Sequence, residues 1–254
     1  MQQLKRALAL SSLLALGATS ANATMIIFDG NNGGTPKMGI VETATAANSG
    51  NPDRYGMVLE FNDFDVYGGR SVGDNLNTGS FLRGDILLTT VDQDLSPNHG
   101  GLGVCSESPT CAGDSDSFSS NFGSDPGKDE VLFFDFMSAV TVDTFWLNGD
   151  HRETVDGVLG GDIKNSANAL FNVYVSSDKS TYMNIFPDQV QPTDLEYIAT
   201  GQTMSYQYWA IAASGWDPHS SYVEAISYVP EPAALSLLGL GLLGLSVRRR
   251  RSKA

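Results

Sequence analysis

The chain has 254 residues, with 15 Lys and Arg against 29 Asp and Glu and a formal net charge of −14. Lys5, Arg6, Arg248, Arg249, Arg250, Arg251 and Lys253 lie near the ends, as does Glu231 alone among the acids, so residues 24–229 keep 8 basic and 28 acidic side chains, a net −20. A body this acidic repels nucleic acid and anionic lipid, which excludes nucleic-acid binding, and it favours solubility and divalent cations.

The first element is an export signal. Lys5 and Arg6 form a charged n-region, residues 7–18 an apolar h-region, and Ala21-Asn22-Ala23 an A-x-A site. Residues 1–23 therefore read as a signal peptide that the Sec machinery and signal peptidase process after Ala23. The h-region is too short for a stable transmembrane helix.

Residues 24–229 suit one domain with a sizeable core. Strands are predicted over 25–28, 56–61, 85–90, 131–136, 140–147, 170–176, 182–186, 206–213 and 222–228, where Val, Ile, Phe, Tyr, Trp and Thr lie between Gly, Asn, Asp, Pro and Ser clusters. Phe171, Val173 and Val175 share one face, opposite Asn172, Tyr174 and Ser176. In 140–147, Val140, Val142 and Trp146 share a face opposite Thr141, Asp143, Phe145 and Leu147. Residues 195–199 read as one helical turn. Polar loops are expected at 30–34, 44–54, 68–80, 93–121 and 148–168. Many short strands with Gly-rich turns predict an all-β fold, a β-sandwich of jelly-roll type.

Cys105 and Cys111 are the only cysteines, six residues apart in a loop-like stretch. In an exported chain such a pair reads as a disulfide. A redox pair more typically spells C-x-x-C at a helix start.

Catalytic patterns are sparse. There is no G-x-S-x-G and no H-E-x-x-H, and His99, His151 and His219 stand far apart, so no catalytic residue is assigned. A carboxylate pair for glycoside hydrolysis has no sequence mark among so many acids. Calcium is the one metal to consider, because Asp- and Asn-rich loops supply oxygen ligands. The loop from Asp29 is no EF-hand, since Ile40 stands where a bidentate Glu belongs. If a structural Ca²⁺ binds, the expected ligands are Asp114, Asp116, Asp129 and Glu130, ahead of a strong strand. Asp and Asn also fill turns for conformational reasons alone. Among the aromatics at Tyr206, Tyr208, Trp209, Trp216 and Tyr222, strand residues belong to the core, as does Trp146. Trp216 lies in a Gly-Trp-Asp-Pro-His turn and is the candidate ligand-binding residue.

The last element is the most informative. Pro230-Glu231-Pro232 forbids regular structure, so an extended, accessible joint is expected. Residues 233–247 are uncharged and apolar, rise about 22 Å as a helix, and span a core of roughly 30 Å only with help from their flanks. Arg248, Arg249, Arg250 and Arg251 resist translocation. Residues 230–254 thus read as a transient membrane anchor with the body outside. Gly239, Gly241 and Gly244 spell a dinucleotide fingerprint, but no strand precedes them and no phosphate meets them there; their small size suits helix packing in lipid.

This order of Pro230, Glu231, Pro232, apolar helix and Arg cluster resembles the PEP-CTERM sorting signal of exported bacterial proteins. The resemblance implies recognition by an exosortase-type membrane protease, removal of the tail, and delivery to the cell surface or an exopolysaccharide matrix. The run GLGVC, DEVLFFDF, VTVDTFWLNGDH and FNVYVSSDKSTYMNIF within 98–186 resembles the jelly-roll ectodomains carried by such proteins, and distantly discoidin or galactose-binding modules. That likeness implies a sandwich and glycan contact and transfers no ligand residue. The sequence is therefore read as an exported, non-enzymatic, exopolysaccharide-associated or carbohydrate-contacting protein. Two readings from other classes stand beside it: an extracellular hydrolase of polysaccharide or ester bonds, and a Ca-stabilised structural surface protein.

Overall fold

The computed structural model describes residues 22–29, 39–49, 53–72, 76, 79–95, 100–106, 111, 118–119, 129–148, 170–186, 197–214 and 220–231. The chain is all-β across them. The strands are β1 (Thr24–Ile27), β2 (Ile40–Val41), β3 (Thr45–Ser49), β4 (Arg54–Glu60), β5 (Phe64–Ser71), β6 (Ser80–Leu82), β7 (Ile86–Asp94) and β8 (Gly101–Cys105). They continue with β9 (Phe118–Ser119), β10 (Glu130–Asn148), β11 (Leu170–Ser176), β12 (Thr181–Asn184), β13 (Tyr197–Ala199), β14 (Tyr206–Ser214) and β15 (Ser220–Pro230). A 3₁₀ turn, Arg83–Asp85, separates β6 from β7.

The strands join one large mixed sheet in the order β2-β1-β15-β8-β7-β4-β5-β10-β14-β11-β12-β6. Among the described residues only β1 and β2 pair in parallel. β10 holds the arrangement together. Its first half pairs with β5 and β14, and its second half with β15 and β13. Because β5 pairs β7, β7 pairs β8 and β8 pairs β15, the hydrogen-bonded path closes on itself through β10. The main core draws on these strands and on β11 and β14. Phe64 and Val66, Leu132, Phe134 and Phe136, Phe171, Val173 and Val175, Trp209 and Ile211, Ile226 and Tyr228 all belong to it. Each such fully buried side chain stabilises the fold by about 1.5–3 kcal/mol before chain entropy is counted. The alternation expected for β11 is observed, with Phe171, Val173 and Val175 inward.

Several expectations are corrected. Residues 131–136 and 140–147 form a single strand, β10, rather than two. The intervening Met137-Ser138-Ala139 contains no Gly, Pro, Asn or Asp, so the chain continues without turning back, and the register shifts there. A second shift, between Val142 and Thr144, reverses the side-chain phase. Val140 and Val142 face the core, but so do Phe145 and Leu147, whereas Trp146 turns the other way to pack with Met25, Ile27 and Ala225. The helical turn read at 195–199 is instead strand β13, pairing Tyr197, Ile198 and Ala199 with Trp146, Phe145 and Thr144. The unpaired flank of β10 and the buried Ile198 outweigh local propensity there.

The loops expected at 44–54, 68–80 and 93–121 contain strand. β3 is polar because it is an exposed edge. β5 and β8 are glycine-rich because neighbours press on their backbones. A Cβ on Gly69 would stand 2.5 Å from Ile86 Cγ2, and one on Gly101 (φ +144°) would stand 2.7 Å from the Val223 carbonyl oxygen.

The opposite face of β5, β10, β14 and β11 carries a second apolar cluster of Val131, Phe133, Tyr174, Ala210, Ala212 and Tyr182. Small residues on β14 leave room for the antiparallel β12–β6 pair, whose Tyr182 and Phe81 rings stack at 5.2 Å. This outer cluster ends in a polar row, which positions the site.

Candidate functional site

Alternation along β10 sends Phe134 and Phe136 inward, and Phe133 and Asp135 outward. Antiparallel register then places Asp65 of β5 and Tyr208 of β14 directly across from Asp135, with Tyr67 across from Phe133. Asp135 is 8% exposed, and a buried carboxylate needs charged partners. Two cations reach it from the sheet's far edge. Arg83 opens the 3₁₀ turn, and its backbone N–H donates to the Ser180 carbonyl at 2.8 Å, which aligns it with the β11–β12 turn. Its Nη1 lies 3.0 and 3.1 Å from the two Asp135 oxygens and 3.2 Å from the Tyr182 hydroxyl. The guanidinium stands 4.6 Å from the Phe133 ring centroid and 4.9 Å from that of Tyr67.

Lys179 arrives from the β11–β12 turn in a left-handed conformation, φ +65°. Asp178 shapes that turn by accepting hydrogen bonds from the Ser180 and Thr181 backbones and the Ser176 hydroxyl, which together hold its carboxyl far below the usual range. The Lys179 Nζ lies 2.6 Å from Asp135 Oδ2, and stands between the half-buried Tyr67 and Tyr208 rings at 5.2 and 5.9 Å. Asp65 completes the group. Burial, then Glu60 and Asp135, raise its carboxyl, while Lys179 and the Tyr67 hydroxyl pull it partly back. Burial likewise pushes the Tyr67 and Tyr182 phenols up, so both remain neutral donors. Two cations and two carboxylates thus meet among tyrosines on one outward surface.

The second functional feature is the C-terminal joint. β15 runs to Pro230, pairing Tyr228, Val229 and Pro230 with Val142, Thr141 and Val140. Pro230 has no N–H to continue the ladder, which makes it a natural last rung. One more bond follows, from the Glu231 N–H to the Ala139 carbonyl at 3.3 Å. The Tyr228 hydroxyl donates to Asp63 Oδ2 at 2.6 Å. Glu231 itself is exposed. The joint therefore begins as sheet, two residues later than expected for a wholly irregular linker.

Residues 229–251 match the PEP-CTERM protein-sorting motif. No curated protein matches the chain. The motif supports export and surface sorting of the kind that exosortases carry out. Its first two residues are the end of β15, so the signal grows directly from the folded body.

Cys105 and Cys111 form the expected disulfide, with Cα atoms 5.3 Å apart. It ties the end of β8 to residue 111. Trp209 is fully buried, as expected, and its Nε1 donates to the Tyr206 and Val140 carbonyls. Tyr222 is buried too, so of the aromatics between 206 and 222 only Tyr208 joins the outward cluster among the described residues. Asp129 and Glu130 are both buried and serve different segments. Asp129 Oδ2 accepts from the Leu76 N–H, and Glu130 Oε2 from the Ser119 N–H and hydroxyl. Among the described residues no group of three or more His, Cys, Asp or Glu is arranged to hold a metal ion. Ala21, Trp216, Asp114, Asp116, Pro232, Arg248, Arg249, Arg250, Arg251 and the three histidines lie outside the described residues; Ala23 lies just before β1. No helix among the described residues is long and apolar enough to cross a membrane; the apolar segment 233–247 lies outside them.

Sequence reasoning missed Arg83, Asp135, Lys179 and Tyr67. They come from four separate segments with no shared spacing. One signal existed: the body has so few cations that any convergence of two is notable.

Proposed function

We propose that this protein is a non-enzymatic component of the cell surface or extracellular polysaccharide matrix, whose sandwich-like β body contacts carbohydrate after an exosortase-type protease removes its tail. One observation carries the reading: the sorting motif starts inside β15, the last strand of the all-β body. Release at that joint leaves the sheet and its outward surface intact. The signal peptide at 1–23 and the short anchor at 233–247 supply entry and transient retention. Support for a binding rather than a chemical role comes from Asp135, whose charge is balanced by Arg83 and Lys179. A retention assay of the processed protein on exopolysaccharide extracted from the producing cells tests the reading. Retention above that of a heat-unfolded control is expected, and its absence would refute the carbohydrate role.

The hydrolase alternative has one observation in its favour. Asp65 and Asp135 stand opposite each other on β5 and β10, and the raised Asp65 carboxyl beside a charge-stabilised neighbour is the pattern of an acid next to a nucleophile. Release of reducing ends from the same exopolysaccharide would select it.

A further inference from the structure

We infer that the surface formed by Asp135, Lys179, Arg83, Tyr67 and Tyr208 is a binding site for an uncharged saccharide presenting a vicinal diol. The inference rests on the carbohydrate reading and assigns it a location. A vicinal diol offers two oxygens roughly 3 Å apart, each able to donate and accept. The site presents an acceptor and a donor at that same separation, Asp135 Oδ2 and Lys179 Nζ at 2.6 Å, with the Arg83 guanidinium beside them at 3.0 Å. One hydroxyl donates to a remaining lone pair at the narrow edge of the carboxylate, whose side chain is 6% exposed, while its neighbour accepts from the more exposed ammonium. Tyr67 and Tyr208 flank the pair with half-buried rings and provide apolar area for sugar C–H groups beside a polar handle.

Charge selects the ligand class. Two cations balance Asp135 and Asp65, so the site has no surplus to attract a polyanion, and the body around it is strongly acidic. An acidic polysaccharide is therefore disfavoured at low salt, whereas a neutral one meets no barrier.

Lys179 separates binding from mere structure. Arg83 and Asp135 cap the outer cluster, and the fold needs them. Lys179 is different: its side chain is 42% exposed, and it sits at φ +65°, where glycine is at ease. A residue kept in a strained backbone state at a partly exposed position is put to use by its side chain.

The test is an array of neutral glycans probed with the exported, processed protein and with Lys179→Gly and Tyr208→Ala, plus alginate as a uronate polyanion. The parent is expected to bind at least one neutral glycan and to lose binding when that glycan's diols are cleaved by periodate. Lys179→Gly should weaken binding about tenfold or more while the protein stays folded, since Arg83 still pairs with Asp135 and glycine relieves the φ +65° backbone. Tyr208→Ala should weaken it several-fold. If the parent binds and both variants bind equally well, the site is wrong although the carbohydrate role survives. If the parent binds no neutral glycan on the array the site is wrong, and if it is also not retained on extracted exopolysaccharide the carbohydrate role falls with it. Binding only to alginate, abolished by half-molar salt, would overturn the neutral-diol assignment, as would retention unchanged by periodate.

Discussion

The Tyr228 hydroxyl donates a 2.6 Å hydrogen bond to Asp63 Oδ2, tying the strand that leads into the sorting motif to a turn 165 residues earlier in the chain. Tyr228 is buried and Asp63 exposed. Burial first, and then this bond, push the phenol well above its ordinary value, so the proton stays on the tyrosine. Tyr228→Phe removes the bond without stranding a buried donor. It should cost about 1 kcal/mol, or a melting temperature lower by about 2–4 °C, with the difference unchanged between pH 7 and 10. Thermal melts of the two processed proteins check this.

Asp65 makes a pH-dependent contribution of opposite sign to an ordinary ion-paired carboxylate. Its folded pKa is raised, so the proton it binds favours the native state at low pH, and that contribution is lost as pH rises through the folded value. At neutral pH the charged form is a liability. Asp65→Asn should therefore raise the melting temperature at pH 7 by an amount equivalent to a few tenths of a kcal/mol, given how exposed the group is. The gain should vanish as pH falls below the unfolded value near 4.

Reading the fold from sequence succeeded where one physical cue dominated. The periodicity of Phe171, Val173 and Val175 gave the inward face of β11, and the Pro-Glu-Pro, apolar and Arg order gave the sorting signal. It failed where the cue was tertiary. Gly68 and Gly69 looked like a loop, yet they are bare because Thr90 and Ile86 press on them. Trp146 faced the wrong way because a bulge at Asp143 has no sequence mark. Tyr197 to Ala199 became a strand only because β10 offered a free edge. The outward cluster was illegible for the same reason: Arg83, Asp135 and Lys179 meet only after register across β5, β10, β14, β11, β12 and β6 is set.

The disulfide gives a third prediction. Closing so short a loop stabilises the fold by about 2 kcal/mol in the chain-entropy account. Reduction, or the Cys105→Ser and Cys111→Ser pair, should lower stability by about that much. It should not abolish folding, since Cys105 ends one strand, β8, of a large sheet. Chemical denaturation with and without reductant reads it directly.

Breaking the central carboxylate should be far more costly. Asp135→Ala leaves the Arg83 guanidinium, with its side chain only 12% exposed, facing Phe133 and Tyr67 without its anion. Removing one partner of a buried pair costs about 3–5 kcal/mol. Arg83 keeps some contact with water, so the lower end is expected. Asp135→Asn, which keeps the shape and one acceptor, should lose less, and urea titration of both variants orders them.

How the cell handles the two ends of the chain is the decisive property of this protein. Intact-mass analysis of the protein collected from the cell surface or medium measures this in one spectrum. The mass expected is that of a chain starting at Thr24, ending no earlier than Glu231, lacking the arginine cluster, and two hydrogens light from the closed disulfide. Full-length protein found only in the cytosol, with both thiols reduced, would contradict it.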